Sequence, residues 1–124
     1  MSIKKEVSFA GLTFPNCCHK IVGVMIYDRD TKRGQLQVKL YADEASKSDG
    51  KSISYISASN SISQIIPLNV NDSDFDFIFS LDNQNPDGKN IFANAYNWMK
   101  TIDNTLPEYK GDCPFDYKNN STDI

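Results

Sequence analysis

An α+β fold, with an antiparallel β-sheet built on a central hairpin and packed against one C-terminal amphipathic helix, follows from three features of this 124-residue chain. Residues 19–27 are rich in β-branched side chains and residues 35–41 alternate strictly, with Asp28-Arg-Asp-Thr-Lys-Arg-Gly34 between them as turn chemistry. Ile91, Phe92, Ala95, Tyr96, Met99 and Ile102 recur at the three and four spacing of a helix running from about Lys89 to about Asp103. The length suits one hydrophobic core, and no period survives beyond Leu106-Pro107. Residues 1–113 are therefore expected as a single domain, with 114–124 as an irregular C-terminal arm.

Taken in order, Val7-Ser-Phe-Ala-Gly-Leu-Thr-Phe14 alternates until Ala10-Gly11 breaks the period, as in a short strand with a bulge or bend, and Pro15-Asn16 ends it. In the second strand of the hairpin Leu36, Val38 and Leu40 share one face, with Gln35, Gln37 and Lys39 on the other, so that strand covers a core on one side only. From Ser46 to Ser63 eight of eighteen residues are serine, which offers little apolar area and predicts a long loop or weak edge hairpin, ordered only against a neighbour. Gln64-Ile-Ile-Pro-Leu68 reads as a strand whose Pro67 confines it to a sheet edge or a strand end. Over Asn71–Phe79 two periods compete. Phe75, Phe77 and Phe79 alternate like a strand, whereas Ser73 as N-cap with Asp74 and Asp76 in the first turn favours a short helix. The expected core is Phe14, Ile21, Val24 or Met25, Leu36, Val38, Leu40, Phe92, Ala95, Tyr96 and Met99.

The balance of charge excludes one large class of function. Thirteen Lys plus Arg against sixteen Asp plus Glu give a net charge of −3, so the basic stripe that nucleic-acid binding needs is missing. No apolar run approaches the roughly 18 residues of a membrane helix, and the first residues lead into a strand-like segment in place of a signal-peptide core. Neither nucleic acid nor membrane is an expected partner. Three cysteines, two of them adjacent, suggest free thiols in a reducing compartment.

Cys17-Cys18-His19 is the most reactive-looking cluster, because a thiolate beside an imidazole is how cysteine nucleophiles arise. Successive residues on a strand point to opposite faces, however, and cysteine is among the most buried residue types, so a structural role is the better reading. Zinc is not supported either: adjacent Cys17 and Cys18 lack the usual ligand gap and Cys113 stands alone. Asp72, Asp74 and Asp76 resemble the start of a calcium loop, but Phe77 occupies the glycine position and Asn83 the glutamate position. No catalytic, cofactor-binding or metal residue is nominated. Trp98 lies off the helix's apolar stripe, as an interface aromatic would. Ile53, Tyr55 and Ile56 in the serine-rich stretch and Phe115 and Tyr117 in the arm are the other candidate interface residues.

Gly11-Leu-Thr-Phe-Pro-Asn16 followed by Ile21-Val-Gly-Val, the strand Leu36-Gln-Val-Lys-Leu-Tyr-Ala-Asp43, and Ala95-Tyr96 with Met99-Lys100 leading to Leu106-Pro-Glu-Tyr-Lys-Gly111 and Asp112-Cys113 form a recurring order. In this the chain resembles small proteins encoded beside tail and tail-fibre genes of tailed bacteriophages and prophages. It departs from them in a longer serine-rich stretch and in residues 114–124. The resemblance implies a non-enzymatic virion structural or assembly protein of the tail, baseplate or fibre-attachment region, assembled in the bacterial host cytoplasm. Its partners would be other virion proteins, with several copies per particle and no cofactor. The alternative is a phage accessory protein that binds a host factor in the infected cell.

Overall fold

The computed structural model describes residues 2–56, 62–79, 91–103 and 115–123. Its elements are β1 (Ile3–Lys5), β2 (Val7–Phe9), β3 (Leu12–Phe14), β4 (Cys18–Asp28), β5 (Arg33–Tyr41), α1 (Glu44–Ser48), β6 (Tyr55–Ile56), β7 (Ile62–Ser63), β8 (Ile66–Asn71), α2 (Asp72–Phe79), α3 (Ile91–Met99) and β9 (Ser121–Asp123). The expected α+β class with an antiparallel sheet is what the chain forms. Five strands in the order β8-β5-β4-β1-β9 make the main sheet, and β2-β3 and β6-β7 are separate two-stranded ribbons.

The β4–β5 hairpin is the centre of that sheet, and its register explains the burial. Leu36, Val38 and Leu40 stand opposite Val24, Ile21 and His19, and on the far side Leu36 and Val38 stand opposite Leu68 and Ile66. These residues share the core face. Gln35, Gln37 and Lys39, opposite Met25, Gly23 and Lys20, share the outer face. Beyond β8, Ile53 continues the edge of β5, its N–H donating to the Leu40 carbonyl at 2.8 Å. Pro67 lies on the edge strand β8, where its missing N–H costs no ladder bond.

Two helices cover the core face. Residues 72–79 take the helical option, burying Phe75, Ile78 and Phe79. Gly34 makes close packing possible there: a Cβ on it would stand 2.9 Å from the Met25 carbonyl oxygen and 3.0 Å from the Phe79 ring. Helix α3 buries Asn94, Ala95, Tyr96 and Met99, and Ile102 follows into the core. Asn94 Nδ2 donates to the Ile78 carbonyl at 3.5 Å, which links α3 to α2.

The fold corrects the sequence reading at three places and decides between its alternatives at two more, Val24 or Met25 and the loop or weak hairpin of the serine-rich stretch. Residues 7–14 form a two-stranded hairpin in place of one bent strand, because Ala10 and Gly11 both take positive φ (52° and 76°), the geometry of a turn whose twist matches its strands. Phe92 is 44% exposed, since Ile91, Ala95, Met99 and Ile102 take the inward stripe of α3. Met25 is exposed while Val24 is half-buried, the side chains having opposite faces. In the serine-rich stretch, Asp43 caps α1 by accepting the Ser46 N–H at 2.8 Å, and Tyr55-Ile56 pair with Ile62-Ser63. The segment expected as an irregular arm after residue 113 instead belongs to the domain. Ser121–Asp123 pair with Lys5–Ile3 as the strand next to β1, and Phe115 and Tyr117 lie in the core.

Candidate functional site

The Cys17-Cys18-His19 cluster sits where β4 begins, and its surroundings determine what it can do. Both cysteines are free and fully buried. Burial pushes the Cys17 thiol up to about 12, helped by the neighbouring Cys18 and opposed by a backbone hydrogen bond at Tyr41, and burial raises Cys18 as well. A thiol so displaced holds almost no thiolate near neutrality. His19 is fully buried on the core face, with its ring edge-on to both Phe115 and Tyr117. Its Nε2 lies 3.2 Å from the Lys5 carbonyl, which can only accept, so Nε2 carries the hydrogen and Nδ1 accepts from the Tyr117 hydroxyl at 2.8 Å. Burial lowers this imidazole to about 4, against the opposing pull of the Lys5 carbonyl bond. The three residues are thereby committed to packing and hydrogen bonding. Cys113 lies outside the described residues.

The other chemistry-bearing candidates are spread apart. Asp72, Asp74 and Asp76 lie on α2, where Asp76 meets Lys32 at 2.7 Å across an exposed surface. Among the described residues no group of three or more histidine, cysteine or acidic side chains could hold a metal ion. No helix of the described residues is long and apolar enough to cross a membrane.

Of the six expected interface residues, the structure takes two into the core. Phe115 and Tyr117 are 7% and 1% exposed because their rings complete an aromatic cluster with His19 and Tyr55, so neither is presented to a neighbouring chain. Ile53 and Tyr55 are half-buried against the core, Tyr55 meeting the ring of Phe9. Trp98 is half-buried against the core too, and Ile56 is half-buried in β6.

A different surface emerges on β4. Strand β1 pairs with β4 only at Cys18 and His19, so along Lys20–Asp28 β4 has β5 on one side and no strand among the described residues on the other. One of these edge groups, the Ile21 N–H, is satisfied from α3 by the Tyr96 hydroxyl at 2.8 Å. Further along, Val22, Met25, Ile26 and Tyr27 are 37%, 40%, 42% and 52% exposed. Covering each would return on the order of 1 kcal/mol. An apolar strand with an open hydrogen-bonding edge is a template for another strand. Two register shifts, between Ile21 and Gly23 and between Ile26 and Asp28, bound the regular part of the strand. The sequence carried a signal of this surface: β5 alternates apolar with polar, while its partner is apolar on both faces from Ile21 to Tyr27.

No family model, curated protein or solved structure matches the chain.

Proposed function

We propose that this chain is a non-enzymatic assembly protein, acting through protein–protein contacts as a structural or assembly component of a tailed-phage particle, in its tail, baseplate or fibre-attachment region. The observation that carries the assembly role is the apolar edge of β4 along Lys20–Asp28, which has no strand beside it among the described residues, with Val22, Met25, Ile26 and Tyr27 at the surface. Surface of this kind stabilises a complex when covered and is a liability when left bare. The commitment of Cys17, Cys18 and His19 to the interior supports the non-catalytic part of the reading, because the cluster best suited to nucleophilic chemistry is held protonated at sulfur and locked at the ring. The phage setting rests on the order of short motifs from Gly11 to Cys113.

Mass spectrometry of purified particles tests the proposal. The chain should be found in stoichiometric amounts, and Ile26→Lys, which charges the exposed strip, should reduce its incorporation. Absence of the wild-type chain from particles refutes the virion role.

A further inference from the structure

We infer that the occupant of the open β4 edge is β4 of a second copy of this chain, the two strands running antiparallel about a two-fold axis at Val24. This rests on the reading of that edge as the interaction surface and names its partner. A two-fold pairing sets the same strand against itself, so the sequence must complement its own reverse. With Val24 on the axis, Gly23 stands opposite Met25 of the second copy, Ile21 opposite Ile26 and Lys20 opposite Asp28, while Val22 and Tyr27, the extra residues at the two register shifts, lie between these pairs. Apolar residues meet apolar residues or glycine, and each end closes with an ammonium facing a carboxylate.

The faces agree with this register. Lys20 stands opposite Lys39 and Asp28 opposite Arg33 on β5, and Lys39 and Arg33 belong to the same alternating outer set as Gln35 and Gln37. Lys20 and Asp28 therefore share the outer face of the sheet and meet on one side when two copies pair. Neighbouring registers lose this match. An axis at Gly23 sets Asp28 against the buried Cys18, and an axis between Val24 and Met25 sets Lys20 against Arg29. An axis at Met25 sets Asp28 against Gly23 and moves the partner of Lys20 beyond the end of the strand.

The charges at the ends are also placed to receive a partner. Lys20 and Lys39 are a directly opposed like pair within one copy, an arrangement that a carboxylate from outside relieves. Asp28 uses Oδ1 to accept the N–H groups of Asp30 and Thr31, at 2.9 and 3.3 Å, which fixes its carboxylate at the surface beside Arg33 of β5. Joined in this way, the sheets of two copies become one, and the apolar strip of each lies along that of the other.

Sedimentation of the full chain across the micromolar range tests the inference. Wild type should form a dimer, and Lys20→Asp alone and Asp28→Lys alone should each raise its dissociation constant at least tenfold. Mixing these two variants should restore a dimer. In the mixed pair the new carboxylate at position 20 of one copy faces the new ammonium at position 28 of the other, and the remaining native Lys20 and Asp28 face each other at the opposite end. Asp28→Lys also removes the turn's acceptor, so Val22→Lys, which leaves the turn intact, should independently weaken the dimer at least tenfold. A wild-type chain that stays monomeric, or charge variants that dimerise as wild type does, overturns the inference. A monomeric chain recovered from particles would overturn the self-pairing and leave the proposed function standing, whereas a dimer absent from particles would do the reverse.

Discussion

The ring of His19 accepts the hydroxyl hydrogen of Tyr117 at 2.8 Å, joining the first residues of β4 to a side chain 98 positions later. The other ring nitrogen donates to the Lys5 carbonyl, so the imidazole is fully used as a neutral group. Protonation would turn Nδ1 from acceptor to donor and set a charge among aromatic rings.

Stability should therefore depend on pH through His19. Its folded value is depressed from the usual 6.5 to about 4, so the unfolded chain binds a proton that the folded chain refuses. The contribution is fully present above pH 6.5 and is lost as pH falls towards 4, by roughly 1.4 kcal/mol per unit and about 3 kcal/mol in total. Urea midpoints measured between pH 7 and 4.5 should fall steeply for wild type. His19→Gln should lower stability at pH 7 and flatten that slope, and an unchanged slope would remove His19 as its source.

Ending the chain before Phe115 should unfold the domain. The truncation removes Phe115 and Tyr117 from the core and β9 from beside β1, and leaves Nδ1 of His19 without a donor. Tyr117→Phe isolates the last effect and should cost about 1–3 kcal/mol, read from the thermal midpoint. A truncated chain with wild-type stability would show that these rings contribute nothing to the fold.

Tyr96→Phe should also destabilise by about 1–3 kcal/mol although the ring is kept. The hydroxyl accepts the Ile21 N–H at 2.8 Å in a buried position, and its loss orphans that donor. In hydrogen exchange the Ile21 amide should lose protection more than the amides of β5. Equal behaviour of the two strands would contradict the role given to this bond.

Cys17 and Cys18 should resist a thiol reagent in the native protein. Both are buried and raised in pKa, so modification has to wait for an opening of the fold. In a Cys113→Ser background the reaction should be slow in buffer and immediate in denaturant, and rapid labelling in buffer would show an accessible thiol.

What could be read from the sequence was what burial writes locally. The strict alternation of Leu36, Val38 and Leu40 records a strand with one wet face, and Ala95, Tyr96, Met99 and Ile102 record a helix with one dry stripe. What escaped depended on partners far along the chain. Ser121-Thr-Asp123 has no apolar period and becomes a strand only because Ile3–Lys5 offers an edge. Phe115 and Tyr117 looked like aromatics in need of a neighbour, and the neighbour is His19. Ala10 hid the β2–β3 turn because a residue with a Cβ rarely takes φ near 52°. The open edge of β4 was legible as a surplus of apolar residues, but it is recognisable as an edge only once β1 is seen to leave after two pairs.

The strand order also sets a sequence of events in time. The β4–β5 hairpin closes over a few residues, between Asp28 and Arg33, and can form on the order of microseconds. The β1–β9 side closes over a loop in which Lys5 meets Asn119, 114 positions apart, so its ordering entropy is recovered only after most other contacts exist. Refolding should accordingly show the hairpin protected early and the neighbourhood of His19 late. Until that last step the imidazole titrates near its ordinary value, so mildly acidic conditions slow the completion of the fold more than its beginning.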